Sequence, residues 1–253
     1  MVEVIPQPAA SGPFAWSANG PRVTRGFTRR GTGASRAPYA GLNLGSRVED
    51  NPAAVARNRA TAAAALGLGE ERVVYLHQVH GADVAVLDSV PDREPVADAL
   101  VTTTPGLGLA VLAADCVPVL LADEITGVIG AAHVGRPGLV AGTVAAVVAA
   151  MRARGATAID AAVGPAVCGA CYEVPQQMHD EVVALVPQAH AVSVTGTPAV
   201  DIARGVLAQL HALGVPATQV LGCTRESDDL YSYRRDGRTG RHAGLIVLRT
   251  DTS

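Results

Sequence analysis

The sequence predicts a mixed α/β or α+β domain, and three observations carry that expectation. Residues 72–133 are a succession of Val- and Leu-rich runs broken by Gly, Pro and Asp, which is the pattern of strands joined by short turns. From residue 138 onward helix-like and strand-like segments alternate. The chain has 253 residues, 49% of them hydrophobic, enough to bury a large core in one domain.

The elements are justified in order. Residues 1–21 are rich in Pro and Gly with little periodicity and read as a tail or covering segment, so a single domain is expected over 22–253. A short strand ending at Thr28 leads into a Gly/Ser/Arg/Pro loop over 29–45. Asn51-Pro52 then forms an N-cap and N1 pair that opens an alanine-rich helix to about Leu66, closed by Gly67. The Ala/Val stretch over 138–154, ended by Gly155, is long enough for a buried helix. Strands are expected over 158–163, 191–194, 218–221 and 243–248, and helices over 175–186 and 199–213. No fixed-period repeat or change of composition marks a linker.

Composition removes several function classes. All 20 basic residues are Arg, so Schiff-base and P-loop lysine chemistry is absent. A net charge of −3 offers no global attraction to nucleic acid or to an anionic membrane, and 3% aromatic residues give no platform for base stacking. No nucleic-acid or membrane partner is expected. Four cysteines, at 116, 168, 171 and 223, are too few and too unevenly placed for a disulfide framework. Together with the lack of a signal-like start or a long apolar run, this points to a cytoplasmic protein with reduced thiols, a monomer or weak homodimer.

The strongest chemical signal is that three apolar, strand-like runs end on a potential metal ligand: His80, Cys116 and His133. Strands ending side by side deliver such residues to one rim of a sheet. Two imidazoles and a thiolate suit zinc, and three protein ligands leave a fourth tetrahedral position open, the mark of a catalytic site. The same residues also permit a thiolate nucleophile activated by a His base, or plain packing and loop hydrogen bonds. Asp115 directly precedes Cys116 and can orient it only if the strand ends or kinks there, as Pro118 allows. His77 would face away from His80 in a strand and reads as a supporting or core residue; His179, His190, His211 and His242 lack a partner at metal spacing.

Cys168-Gly169-Ala170-Cys171 has the spacing of half a zinc knuckle or of a redox pair, but no second CxxC follows, and a structural reading is favoured. The segment 225–241 interleaves five Arg with Tyr, Ser and Gly, and Arg forks suit phosphate. Arg29, Asn43 and Arg59 add donors from the N-terminal region, and with Arg234 they form the candidate phosphate- and substrate-binding set.

Taken together the segments resemble the YfiH-type laccase-domain family, labelled polyphenol oxidases and also regarded as purine nucleoside phosphorylases. The resemblance is carried by Thr28-Arg29, Leu42-Asn43-Leu44-Gly45, Asn58-Arg59, Gln78-Val79-His80-Gly81, Ala97-Asp98-Ala99, Ala114-Asp115-Cys116-Val117-Pro118 and Ala132-His133-Val134-Gly135. It continues through Gly164-Pro165, Cys171-Tyr172-Glu173, Cys223-Thr224, Tyr231-Ser232-Tyr233-Arg234-Arg235-Asp236 and Thr239-Gly240-Arg241. It implies a layered α/β/β/α fold with mixed sheets, and makes His80, Cys116 and His133 the metal-binding and catalytic trio, with zinc, or copper as the alternative. The implied activity is cleavage of adenosine, inosine, guanosine and methylthioadenosine by inorganic phosphate to base and ribose 1-phosphate, with deamination of adenosine, where Asp115 is the candidate proton-shuttling carboxyl. A copper-dependent polyphenol oxidase and a nonenzymatic metal-binding protein are the alternatives. The sequence departs from the family's His-Ala-Gly-Trp-Arg-Gly run, reading His133-Val134-Gly135-Arg136-Pro137-Gly138 instead.

Overall fold

A computed structural model of the chain describes residues 2–5 and 12–250. Its strands are β1 (Val2–Ile5), β2 (Phe14–Asn19), β3 (Val23–Thr28), β4 (Val73–Val74), β5 (Val84–Leu87), β6 (Ala99–Thr102), β7 (Gly108–Ala113), β8 (Val117–Asp123), β9 (Val128–Val134), β10 (Asp160–Val163), β11 (His190–Val192), β12 (Pro198–Val200), β13 (Ala217–Val220) and β14 (His242–Leu248). The α-helices are α1 (Pro52–Ala64), α2 (Arg136–Ala141), α3 (Thr143–Ala153), α4 (Gln176–Leu185), α5 (Ile202–Ala212) and the short α6 (Tyr233–Asp236).

Two mixed sheets stack. One has seven strands in the order β1-β13-β10-β8-β9-β6-β5, the other five in the order β2-β3-β14-β7-β4, and β11 and β12 form a separate ribbon. Period-two alternation assigns the layers. In β8, Val117, Val119 and Leu121 face the core shared with α3, α4 and α5, while Leu120 and Ala122 face the second sheet. In β14, Ile246 and Leu248 point between the sheets, while Ala243, Leu245 and Val247 pack outward against Ala62, Ala63 and Leu66 at the end of α1. Because both faces of both sheets are covered, the central strands read as unbroken apolar runs instead of alternating ones. The result is the α/β/β/α layering that the sequence resemblance implies.

Several expected elements differ in detail. The segment 1–21, expected as a tail or covering segment, contributes β1 to an edge of the larger sheet and β2 to an edge of the smaller one, so sheet structure begins before Arg22. The single helix expected over 138–154 is two, because Gly142 adopts a left-handed φ of 87° and serves as the C-cap of α2 and the N-cap of α3. The helix expected over 199–213 starts at Ile202, capped by Asp201, after the short strand β12. By contrast, Asn51 caps α1 as the sequence predicts, its Oδ1 accepting from the amides of Ala53 and Ala54 at 2.9 and 3.3 Å.

Candidate active site and metal centre

The three ligand candidates arrive from different parts of this frame. β4 is only two residues long, so His80 lies in the loop beyond it and not at a strand end. Cys116 sits in the turn where the chain leaves β7 in the smaller sheet and enters β8 in the larger one. His133 is in β9, with the parity of Ile129 and Ala131, and so points between the sheets. Their side-chain donor atoms all lie within 4.8 Å of one another. Cys116 Sγ is 3.8 Å from His80 Nε2, and the two imidazoles meet edge to face at 4.8 Å. Three convergent soft donors, one exposed (His80) and one buried (His133), fit a tetrahedral zinc with its fourth position open.

Asp98 holds the trio together. The antiparallel register Ala99↔Ala132 sets it opposite His133, and its Oδ1 lies 2.8 Å from His133 Nδ1. The carboxylate also accepts from the amides of Val79, His80 and Gly81 at 3.1, 2.9 and 2.7 Å, fixing the His80 loop. One carboxylate thus orients both histidines and leaves His133 Nε2 for the site, as outer partners of metal-bound imidazoles do. Burial opposes the charge on Asp98, but hydrogen bonds from His133 and the amides outweigh it and keep the carboxyl below its ordinary value. Burial likewise opposes a thiolate at Cys116, yet His133 and His80 bring it down to about 6. Against its own burial, His133 is lifted to about 9 by Cys116 and Asp98. These opposed shifts favour pairing of a thiolate with an imidazolium, and the thiolate is the form that binds a cation.

The backbone is strained at two of these positions. His80 has φ 61° and Asp115 φ 105°, in the left-handed half of conformational space where non-glycine residues are uncommon. Each is held by hydrogen bonds that over-determine it. The Asp115 carboxylate accepts from Thr224 Oγ1, Ser232 Oγ and the Arg234 amide, each at 2.6 Å. The carboxyl expected to shuttle protons lines the cavity and is held by the 224–234 segment, so that it anchors the turn bearing Cys116.

The trio opens into a cavity of about 520 Å³, within the range of small-molecule sites. Its walls include Gln78, Val167, Tyr172, Tyr233, Arg234, Arg241, Ser46 and Arg47. Of the four expected phosphate or substrate donors, only Arg234 lines it, with its guanidinium 4.8 Å above the Tyr172 ring. Arg29 is paired with Asp229 at 2.8 Å away from the cavity lining. Asn43 is fully buried, donating to Asp50 and accepting from the amides of Gly45 and Arg241, so it ties loops together. Arg59 donates to the Leu44 carbonyl, Ser46 Oγ and Glu94, and lies 3.7 Å over the Tyr75 ring. Arg241, part of the Arg-rich segment but not of the expected donor set, lines the cavity, although its Nη1 donates to the carbonyls of Thr239 and Gly240. Of the other histidines, His77 lies outside the trio, and His179 and His190 bond each other at 2.9 Å.

The chain belongs to the family described as multi-copper polyphenol oxidoreductase laccase, whose model matches residues 24–249. Its curated relatives bear the name of another activity. It is 57% identical over 228 residues to a purine nucleoside phosphorylase of Streptomyces coelicolor, covering 88% of this chain and 94% of the relative. It is 48% identical over 235 residues to a purine nucleoside phosphorylase of Corynebacterium glutamicum, covering 89% and 94%. Among solved structures, a Neisseria meningitidis protein superposes with a TM-score of 0.84 at 35% identity over 94% of this chain and 100% of that one. YlmD from Geobacillus stearothermophilus gives 0.85 at 30% identity over 95% and 100%. No helix among the described residues is long and apolar enough to cross a membrane.

Proposed function

We propose that the protein is a zinc-dependent purine nucleoside phosphorylase that also deaminates adenosine. The observation that carries the reading is a cavity lined both by the His80–Cys116–His133 trio and by Arg234 and Arg241, in a chain whose relatives at up to 57% identity are named purine nucleoside phosphorylase. Zinc held by His80 Nε2, Cys116 Sγ and His133 Nε2 would supply a Lewis acid at the cavity wall.

The chain's own residues then divide the work. Arg234 and Arg241 present cationic donors for phosphate, and Tyr172, already stacked under Arg234, offers an aromatic face for the base or sugar. In phosphorolysis an oxygen of phosphate forms the bond to the ribose C1′ as the C1′–N9 bond breaks, and the base leaves with the electron pair and is protonated. Held on the Arg234 wall, phosphate is brought to C1′ in one orientation, which lowers the entropic part of the barrier. In deamination water adds at C6 and ammonia leaves. Asp115, held by Thr224, Ser232 and the Arg234 amide, anchors the turn bearing Cys116 during both reactions.

Adenosine, inosine, guanosine and methylthioadenosine are the substrates to test, each with and without phosphate, following base, inosine and ribose 1-phosphate by chromatography. Phosphate-dependent base release and phosphate-independent conversion of adenosine to inosine, both lost in Cys116→Ala, are expected; base release that ignores phosphate, or either activity surviving in Cys116→Ala, refutes the reading. A copper phenol oxidase is disfavoured by donor chemistry: among the described residues the trio is the only metal-capable cluster that contains imidazole, whereas multicopper chemistry needs several such clusters.

A further inference from the structure

A second set of metal-capable side chains lies outside the trio. Cys168 and Cys171 come from the turn after β10, and Cys223 and Glu226 from the turn after β13; their donor atoms all fall within 4.8 Å of one another. The sequence shows only half of this pattern because the second half, Cys223-Thr224-Arg225-Glu226, lies more than fifty residues away and ends in Glu, not Cys. The fold brings the halves together through the parallel bridge Ala166↔Cys223. Two turns of the form Cys-x-x-Cys and Cys-x-x-Glu then face each other, as the two knuckles of a zinc ribbon do.

We propose that Cys168, Cys171, Cys223 and Glu226 form a second metal site, a structural zinc centre that clasps two loops of the active-site wall. Each turn is closed by its own backbone, Cys171 N–H donating to the Cys168 carbonyl at 2.9 Å and Glu226 N–H to the Cys223 carbonyl at 3.2 Å. The Cys168 amide points at Cys223 Sγ, 3.4 Å away, the kind of N–H···S contact that supports a metal-bound thiolate. Cys171 Sγ lies 3.5 Å from Glu226 Oε1. Zn–S bonds of about 2.3 Å in a tetrahedron put sulfurs roughly 3.8 Å apart, so a modest contraction of this cluster completes the geometry. A disulfide would use two of the three thiols and leave Glu226 unexplained. Zinc would take the place of the thiol protons on binding.

The location gives the centre a role. Cys171 directly precedes Tyr172, which lines the cavity, and Cys223 directly precedes Thr224, whose hydroxyl holds Asp115. The two wall loops also meet through Thr224 N–H to the Ala166 carbonyl, and Val167 N–H reaches the Asp115 carbonyl. The zinc would fix the spacing of these contacts without touching substrate, and its donor set saturates the ion, leaving no open position.

The test is a metal count on the full chain. In a His80→Ala/Cys116→Ala double variant, which disables the first site whatever that site does, elemental analysis is expected to find about one zinc per chain. Adding Cys171→Ser should remove it, and chelator should lower the melting temperature of the double variant but not of the triple. Cobalt(II) replacing zinc in the double variant should give the intense sulfur-to-cobalt charge-transfer absorption and visible bands of a tetrahedral thiolate site. Should Cys171→Ser fail to fold, Glu226→Gln, at an exposed side chain, is expected to weaken zinc binding at least about tenfold. A folded double variant with no zinc and no cobalt spectrum overturns the proposal, and so does a thiol titration in denaturant showing Cys168 or Cys171 oxidised to a disulfide as purified.

Discussion

Replacing Asp98 with Asn keeps the shape of the side chain and removes its charge, and the structure sets the size of the effect. The native carboxylate accepts four hydrogen bonds, from His133 Nδ1 and from the amides of Val79, His80 and Gly81. An asparagine has one acceptor oxygen, and its NH₂ must face donors on the other side. At least two of those donors lose their partner in a fully buried position, at roughly 1–3 kcal/mol each, and the remaining bonds lose their charge assistance. A destabilisation of about 3–5 kcal/mol follows, or a fall in melting temperature of roughly 6–20 °C for a chain of this size. Because the same carboxylate selects the His133 tautomer and pins the His80 loop, zinc affinity should fall by about 10–100-fold. Chelator competition at neutral pH measures the second quantity and calorimetry the first. Wild-type zinc affinity in Asp98→Asn would refute the claim that this residue orients the trio, whatever the change in stability.

Arg234→Ala should raise the Michaelis constant for phosphate about tenfold or more, the loss of one charge-assisted contact, whereas Arg59→Ala should leave it unchanged and cost roughly 1–3 kcal/mol in denaturant unfolding because its partners are Leu44, Ser46 and Glu94; steady-state kinetics with varied phosphate separates them. Gly135→Ala meets no backbone penalty at φ −86°, but its Cβ would stand 2.7 Å from His80 Cδ2 and 3.1 Å from Cys116 Sγ. Metal affinity should therefore drop at least about tenfold while the melting temperature moves by only a few degrees, as metal titration and calorimetry on one sample would reveal. Burial holds His242 down to about 4 from 6.5. Between those pH values the unfolded chain binds a proton that the folded one refuses, so stability falls as pH drops through this window by about 3 kcal/mol; in His242→Asn that part of the acid sensitivity should disappear from unfolding curves taken at pH 7 and pH 4.

The sequence makes the trio legible because His80, Cys116 and His133 each close an apolar run, and it makes the α1 cap legible because Asn51-Pro52 is a local signal. What it hides depends on pairing between distant segments. Ala97-Asp98-Ala99 stands out as a motif, but the role of Asp98 shows only when the β6–β9 register sets it beside His133. Arg59 and Asn43 carry the right chemistry for phosphate, yet Tyr75, Glu94 and Asp50 claim them, and nothing local in the sequence marks those partners. The Gly142 break is masked in the sequence by the long Ala/Val run around it. β1 and β2 leave little trace in the sequence because edge strands have only one neighbour and need little patterning to stay in place.

Cys116 occupies the crossing from one sheet to the other, with His133 on a strand of the larger sheet and His80 in the loop that follows a strand of the smaller one. The distances among the donor atoms are therefore a gauge of how the two slabs are aligned. Phe27 and Leu109 from one slab and Leu120 and Ile129 from the other fill the space between them. Trimming any of these lets the slabs slip, and a slip of half an ångström matters little to a greasy interior but a great deal to a coordination sphere. Turnover in this protein should consequently be sensitive to alterations deep in the interlayer, far from anything the substrate touches.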